Sequence, residues 1–498
     1  MSRVSTRDYL HWAIELAALA VAFGSLLAAP LARAAEAAID DAPAGSIEVV
    51  VDGLVRDALA ANLELDVAGA ETALRLAALD QARARYLPAL DFNARYSAAE
   101  GGRVIDFPVG DLLNPVYASL NQLTGQARFP MVANQQIPFM LHREQDTKVT
   151  LSQPLYDARI PAARDASAAQ LDQASAARTA LAGRIDRDMR TAYYRWLEAR
   201  ARRGILEATL ELARANRRVN DSLYANGKIT RDLVYRAEAD VLEVEQSHLA
   251  ADNGVRLAQS YVNLIRNAPF DRPLPPAAVD DSDLERLCRA LAHRVGQPSL
   301  AAAALADAAV DRRAELKELD ATVAAAAAGE RLARASFRPQ LALAVDAGTT
   351  GEGYSVSAAD RYVLASLVLR FSLYSGGADS AGVAAARATG REARAQRGLA
   401  EQRIRLEVEQ SLDNLEVALA SLATAAKRVE AARGAFRIAA RKRDLGQINQ
   451  AEFVDARRVL TDADLNQAVT RFGALESLAE LEYALGTGAR PSPPEPLP

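Results

Sequence analysis

Residues 86–90 read Tyr-Leu-Pro-Ala-Leu, and residues 337–341 read Phe-Arg-Pro-Gln-Leu. In both places a stretch of helix-forming residues stops at a proline, Pro88 or Pro339, because proline lacks a backbone N–H and clashes with the preceding turn. Alternating apolar and polar residues follow at once, and a period of two is typical of a strand with one apolar face. The same helix-to-strand junction therefore occurs twice, 251 positions apart (339 minus 88).

The repetition continues beyond these junctions. The Leu-Tyr pair at 155–156 recurs at 373–374, an offset of 218, and Gly227 recurs as Gly446, an offset of 219. Two stable offsets separated by one step indicate a duplicated unit with an insertion of about 33 residues (251 minus 218) in the first copy. A period above 200 residues is too long for a solenoid. Each copy reads helix, strand, strand, long helix, helix.

The residue patterns place these elements along the chain. In the first copy they predict helices at 47–86, at 162–226 and from an N-cap at Thr230 to about 266, and strands at 90–97 and 147–156. In the second copy they predict helices at 297–336, from Gly377 to near Asp444 and at 450–485, and strands at 340–347 and 361–374. Each of the two longest helices, of about 65 residues, would be roughly 100 Å long.

The ends of the chain and the junction between the copies have their own composition. Residues 1–34 read as a signal peptide, with basic residues, an apolar run and an Ala-Arg-Ala cleavage site; the alternative is a membrane anchor. The first repeat then covers 35–268, with an extended loop at 98–146 that carries the insertion. A proline-rich linker at 269–296 leads to the second repeat at 297–486. The tail at 487–498, with five prolines, is predicted to be disordered.

Composition excludes several classes of function. The 498-residue chain is half hydrophobic but only 5% aromatic, and its alanine-rich, Arg- and Glu-rich segments favour long, closely packed helices. A net charge of -5 gives no reason to expect nucleic acid. The single cysteine, Cys288, excludes an intramolecular disulfide and a Cys-rich metal site. Four scattered histidines and no nucleophile with an adjacent base predict no enzyme, no metal and no cofactor.

Four strands with one apolar face each pose a problem that assembly can solve. An isolated four-stranded sheet leaves two open edges, which a bilayer forbids because every backbone polar group there needs a partner. Three chains would supply twelve strands, enough to close a barrel around a lumen. The charged long helices cannot enter lipid and would extend from the barrel as a helical tube. The alternatives are a soluble sandwich packed on helices and a coiled-coil rod without a lumen.

The order and double occurrence of these motifs resemble the outer-membrane efflux (TolC-like) proteins of Gram-negative bacteria. The similarity covers roughly residues 48–487 and rests on paired segments at 62–65 and 313–316, 86–88 and 337–339, 151–157 and 373–377, and 224–227 and 444–446. The resemblance implies a homotrimer in the outer membrane, with a shared 12-stranded β-barrel continued by a periplasmic α-helical barrel. It also implies a periplasmic adaptor and an inner-membrane transporter as partners.

A conduit needs a closed state, and two carboxylates are candidates for its gate. Glu452 and Asp455 lie three residues apart on one face of the last helix, shortly after Gly446. In a trimer they would form a ring of six carboxylates that attracts cations. The alternative is a solvated helix face, but the resemblance favours the gate because the family carries a carboxylate pair there. The first copy has Leu233 and Arg236 at these places, and Arg236 could pair with Asp455 across a neighbouring helix.

The turns between antiparallel helices are candidates for adaptor docking. They are Gly227, Lys228 and Ile229 in the first copy and Gly446, Gln447 and Ile448 in the second. Glycine permits a tight turn there, so a plain helical hairpin is the alternative interpretation. For the whole chain, the leading hypothesis is the exit duct of a tripartite efflux or type I secretion system. The competing one is a periplasmic coiled-coil scaffold or adaptor protein without a pore.

Overall fold

The structure of the chain is a computed structural model. It describes residues 47–140, 142–277, 284, 286–288, 291, 302–352, 357, 360–445 and 447–488. The predicted signal peptide, half of the predicted linker and nearly all of the predicted disordered tail lie outside the described residues. No helix within the described ranges is both long enough and apolar enough to cross a membrane.

The secondary structure follows the duplicated plan. The first copy contains helices α1 (Ile47–Ala61), α2 (Leu63–Ala84), α3 (Val109–Thr124), α4 (Arg159–Ala225) and α5 (Arg231–Ile265), and strands β1 (Ala89–Ala98), β2 (Val104–Phe107), β3 (Gln135–Pro138) and β4 (Arg143–Asp157). The second contains α6 (Ala302–Arg312), α7 (Ala314–Ala335), β5 (Gln340–Gly351), β6 (Arg361–Arg370), α8 (Ala378–Asp444) and α9 (Gln450–Ala484). The two predicted long helices are confirmed, and each has 67 residues.

The chain forms two compact units. The sheet unit comprises residues 68–178 and 314–401, and the helical unit comprises the described residues up to 67, 179–313 and from 402 onward. In the helical unit, α1 buries Ile47, Val51 and Leu54. Near this helix Arg190 of α4 donates to the carboxylates of Asp186 and Asp52, each at 2.8 Å.

The helices predicted at 47–86 and 297–336 are each broken in two, because one side chain at each break binds a distant helix end. Asn62 begins α2 by accepting from the backbone N–H of Glu64 at 2.8 Å, and its amide donates to the Ile265 carbonyl at the end of α5, also at 2.8 Å. Arg313, the equivalent residue in the second copy, donates to the Ala484 carbonyl at the end of α9 at 3.3 Å. Both bonds satisfy a carbonyl that a helix end leaves without a partner.

The four main strands form one antiparallel sheet in the order β1-β4-β5-β6. Its register aligns apolar residues across one face, in the rows Leu90, Leu151, Val345, Ala365 and Phe92, Val149, Ala347, Val363. The opposite face is mostly polar: Thr150 donates to Asp346 at 2.6 Å, and the Lys148 ammonium lies 3.7 Å from the same carboxylate. The predicted alternation is confirmed, although β6 ends at Arg370, before Phe371 and Leu373.

The segment at 98–146, predicted to be an extended loop, is structured. It prolongs the β1–β4 hairpin through the antiparallel pair β2–β3 and is capped by α3. Residues 126–134 run back along this helix as a strap. Asn114 exchanges two hydrogen bonds with the Val132 backbone at 2.8 and 2.9 Å, and Asn121 does the same with Phe129 at 2.9 and 2.8 Å. Side-chain amides therefore replace the ladder bonds that the strap lacks.

Candidate functional site: the hairpin tips and the start of the last helix

The α4–α5 hairpin turns through a Schellman motif at its tip. The Lys228 N–H donates to the Leu223 carbonyl and the Gly227 N–H donates to the Tyr224 carbonyl, both at 2.9 Å. Gly227 has a φ of +67° and open space around its α-carbon. This is the left-handed conformation that favours glycine, so the residue sets the sharpness of the turn. Lys228 is exposed and Ile229 is half-buried beside it.

The α8–α9 hairpin repeats this turn. The Gln447 N–H donates to the Lys442 carbonyl at 2.8 Å, which is the bond that Lys228 makes in the first copy. Gln447 is exposed and Ile448 is half-buried, as their counterparts are. Gly446, the sixth predicted docking residue, lies outside the described residues. The two tips thus share this bond and the same exposure at the two positions after the glycine, in keeping with the offset of 219 between them.

The helices that follow the two tips, α5 and α9, begin differently. Thr230 occupies the predicted N-cap position of α5, but its hydroxyl donates to Asp232 and makes no capping bond. In α9 the Asn449 side chain accepts from the Glu452 backbone N–H at 2.9 Å and donates to the Glu452 carboxylate at 2.8 Å. These reciprocal bonds resemble a capping box. Glu452, one of the predicted gate residues, therefore stabilises the start of its own helix.

Asp455 is the freer of the two predicted gate carboxylates. It is exposed one turn after Glu452 and makes no ion pair with any described residue. Arg236, which the sequence suggested as its partner, lies instead 3.9 Å from Asp232 on its own helix. Within a single chain the two carboxylates share a helix face, and only Asp455 keeps an unengaged side chain.

A buried ion pair that sequence reasoning missed joins the two copies just behind these carboxylates. Arg457 of α9 donates to Asp240 of α5 at 2.6 Å, and their side chains are 3% and 7% exposed. Arg457 Nε and Nη1 and Asp240 Oδ2 have no hydrogen-bond partner among the described residues. One residue further along, Arg458 pairs with Glu243 on the surface, where the side chains are 54% and 62% exposed. Nothing in the sequence separates the inward arginine from the outward one.

Phe453 fixes the first turn of α9 against α8. It is 2% exposed, its ring centroid lies 5.6 Å from that of Phe436, and the Arg443 guanidinium lies over its ring at 4.1 Å. The side chains of Glu452 and Asp455 are consequently carried by a helix start that packs tightly on its neighbour. Phe453 follows Glu452 directly in the sequence, so its burial directs the carboxylates outward.

The part of α4 between Thr209 and the tip contacts both α5 and α9. It meets α5 through Arg217 and Glu238 at 3.4 Å, and it meets α9 through Thr209 and Thr461, whose hydroxyls are 3.1 Å apart. No described residue covers the far side of α5. Large apolar residues recur on it at intervals of seven or eight, each more than half exposed: Tyr235, Leu242, Leu249, Leu257 and Leu264. This row is called the α5 stripe below.

The described residues include no group of three His, Cys, Asp or Glu side chains that could hold a metal ion. Adaptor docking at the tips and attraction of cations by the two carboxylates stay predictions.

Comparison with known proteins identifies what the chain is similar to. Residues 305–487, within the second copy, match the family model of the outer membrane efflux proteins. No curated protein sequence matches the chain. The resemblance to this family that the repeated motifs indicate is confirmed by the match.

Solved structures share the fold over nearly the whole described chain. The outer membrane channel CmeC of Campylobacter jejuni has a TM-score of 0.72 at 14% identity, over 89% of this chain and 87% of that chain. The outer membrane protein VceC of Vibrio cholerae has a TM-score of 0.68 at 18% identity, over 88% and 96%. The open state of the MtrE channel of Neisseria gonorrhoeae has a TM-score of 0.68 at 16% identity, over 88% and 89%. The predicted duplicated fold of TolC-like channels is therefore confirmed.

Proposed function

We propose that this chain, whose second copy matches the outer membrane efflux proteins and whose fold is that of outer-membrane channels, forms a trimeric exit duct in the bacterial outer membrane. The duct would serve a tripartite efflux or type I secretion system. It would take cargo from an inner-membrane transporter through a periplasmic adaptor that docks at the hairpin tips. The support comes from two surfaces that a single chain leaves open, one in each unit.

The first open surface is the pair of sheet edges. Strands β1 and β6 each have only one neighbour in the four-stranded sheet, and Leu90 and Phe92 on the apolar face of β1 are each 70% exposed. In lipid, unpaired strand edges are too unfavourable to persist, so β1 of one chain would pair with β6 of the next. Three copies give twelve strands, with the apolar face toward lipid and the face that carries Lys148 and Asp346 toward a water-filled lumen.

The second open surface, the α5 stripe, gives the strongest support. Because the two copies are equivalent, the helix that packs on the matching face of α9 predicts which helix should cover this stripe. Adding the offset of 219 places Leu242 at the position of Thr461 and Leu257 at the position of Glu476. In the second copy these positions pack on α4 of the first copy, through the Thr209–Thr461 contact and through Arg195, which lies 3.1 Å from Glu476. By the same rule the α5 stripe would pack on α8, the equivalent long helix, of a neighbouring chain.

This rule predicts a specific contact. Adding 219 to Thr209 of α4 gives Arg428 of α8. Arg428 is exposed in the single chain. The contact between Thr209 and Thr461 within a chain should therefore recur between chains as Leu242 against Arg428. In three copies, the Thr209–Thr461 contact within each chain and the Leu242–Arg428 contact between chains would close a ring of six hairpins. Asp455 would recur three times in this ring, near the hairpin tips.

The decisive experiment joins the predicted neighbours covalently. A Leu242→Cys, Arg428→Cys variant, oxidised in outer-membrane fractions, should give covalent trimers on denaturing gels. A matched Leu242→Cys, Glu430→Cys variant should give few, because Glu430 lies on another side of α8. The wild-type protein in a planar bilayer should show cation-selective conductance. A protein that is monomeric in detergent and conducts no ions would refute the duct and favour a scaffold without a pore.

A further inference from the structure

The end of the helical unit that carries the hairpin tips has a surplus of positive charge. Six exposed cations there make no ion pair with a described carboxylate: Arg218, Lys228, Arg231, Arg437, Arg441 and Lys442. Most described carboxylates on the same hairpin ends are already engaged. Asp221 lies 3.8 Å from Arg217, Asp232 lies 3.9 Å from Arg236, and Glu452 is held by its cap. Asp455 is exposed and makes no ion pair with a described residue.

Part of this surplus has an ordinary explanation. Arg441 and Lys442 lie in the last turn of α8, where cations stabilise the partial negative charge of a helix C-terminus. The Arg231 guanidinium lies over the Tyr235 ring at 5.4 Å. Arg218 and Arg437 have neither role, since each lies seven residues before its helix ends at Ala225 or Asp444. The helix dipole acts only within about one turn of the terminus.

Arg218 and Arg437 occupy the same position in the two copies (218 plus 219). Each is followed by an exposed β-branched residue, Val219 at 45% exposure and Ile438 at 61%. Nearby tip positions have diverged in charge between the copies, from Lys228 to Gln447, from Arg231 to Gln450 and from Arg236 to Asp455. The outer ends of both hairpins therefore carry an exposed, unpaired arginine beside an exposed apolar side chain. We call the pair of arginines the tip arginines.

The same equivalence indicates that the tip arginines stay accessible after assembly. Arg218 is exposed although α9 packs on α4, and Arg437 would hold the corresponding place beside α5 of a neighbouring chain. A ring of three chains would then present six arginines, one on each hairpin.

We infer that the tip arginines bind carboxylates of the periplasmic adaptor, each contact made by one acidic side chain next to one apolar side chain of that partner. The inference rests on the proposed function, because the adaptor is the partner that the exit duct requires at this end. Charge complementarity selects an acidic partner, and the adjacent Val219 and Ile438 select an apolar neighbour for each acid. Lys228 and Gln447, at the turns themselves, would then not provide the main charge contact with the partner.

The test uses defined probes and the purified, detergent-solubilised protein. The probes are two disulfide-closed helical hairpin peptides that differ only in carrying Glu-Leu or Gln-Leu pairs near their tips, labelled for fluorescence anisotropy. The Glu peptide should bind about tenfold more tightly than the Gln peptide, and raising salt should remove most of the difference. Arg218→Glu with Arg437→Glu should weaken binding of the Glu peptide by about tenfold, and Arg218→Lys with Arg437→Lys should largely restore it.

A matched control makes the same change of charge elsewhere. Arg202→Glu with Lys427→Glu alters two exposed, unpaired cations on α4 and α8 that lie well before the tips, and it should leave binding unchanged. Equal affinity for both peptides, no binding of either, or equal effects of the control and the tip variant would overturn the inference. Preferential binding of the tip arginines to phosphatidylglycerol vesicles, or dissociation of the trimer by the tip variant, would overturn it as well. Conductance in a planar bilayer needs no partner, so it tests the exit duct separately.

Discussion

The neighbouring ion pairs between α5 and α9 offer a direct test of how burial changes the contribution of a salt bridge. Arg457–Asp240 and Arg458–Glu243 join the same two helices at adjacent arginines, yet the first pair is 3% and 7% exposed and the second is 54% and 62% exposed. Both pairs join interior positions of the same two helices. The difference between them should therefore come from solvent access.

Asp240→Leu leaves the Arg457 guanidinium buried without a counter-charge, and such a change costs about 3–5 kcal/mol. At about 2–4 °C per kcal/mol, the melting temperature of the helical unit should fall by about 6–20 °C. Adding Arg457→Met should recover most of the loss, because a buried pair replaced by apolar side chains is often neutral or stabilising. The three unpartnered atoms of this pair favour that recovery. Glu243→Ala and Arg458→Ala should each cost less than about 1 kcal/mol.

The assay is thermal unfolding of the detergent-solubilised protein, followed by far-UV circular dichroism for each single and double variant. The two double-mutant cycles then yield two coupling energies. The reasoning fails if the Asp240 and Glu243 variants lose similar stability, or if the Asp240→Leu, Arg457→Met double variant is as unstable as the sum of its single changes. Either result would mean that the packing of α5 on α9, and not the charge pair, governs this contact.

The remaining predictions concern the tips and the helical unit. Asp455→Asn should reduce cation selectivity, read as a shift in reversal potential, with little change in melting temperature; an unchanged reversal potential would exclude it from the gate. Gly227→Ala should destabilise the α4–α5 hairpin by about 1–2 kcal/mol, because alanine is strained at a φ of +67°. Gly434→Ala, in the interior of α8 with open space around it, should stabilise the protein by about 0.5–1 kcal/mol; equal effects in a melting comparison would contradict the strain argument. Desolvation raises the pKa of Glu476 above 4.5 despite the nearby Arg195, so its protonated form contributes stability that is lost as pH rises through the raised value. Melting of Glu476→Gln should lack this decline, and a pH profile identical to that of the wild type would assign the decline to other groups.

Much of the fold could be predicted from local sequence because local rules determine it. Pro88 and Pro339 end helices whatever surrounds them, and the alternation after each one determines which side chains share a sheet face. The two 67-residue helices follow from long stretches without proline after the first turn, where α4 carries Pro161. Gly227 marks a turn because few other residues accept a positive φ.

The features that sequence reasoning missed depend on residues far apart in the chain. Asn62 breaks the first helix because it binds a carbonyl 203 residues away, and no window around it contains that information. The strap on α3 is held by Asn114 and Asn121, residue types that are equally common in open loops. Arg457 is inward and Arg458 outward only because of how α9 rests on α5. At the candidate gate, the reach of Asn449 toward Glu452 was visible in principle, since an Asn followed three residues later by Glu is a known helix-start pattern.

The clamped strap also determines where this protein can be altered without harm. It lies on the β1–β4 hairpin at the end remote from α2, the end that would face the cell exterior. Gly125, with a φ of +64° and no atom near its α-carbon, sits between α3 and the strap, just outside the amide clamps. A short affinity epitope inserted after Gly125 should be displayed on living cells while the clamps remain intact, whereas the same epitope inside 129–132 would break them. In the proposed duct, the position after Gly125 would thus provide a site for labelling intact bacteria that leaves the amide clamps of the strap intact.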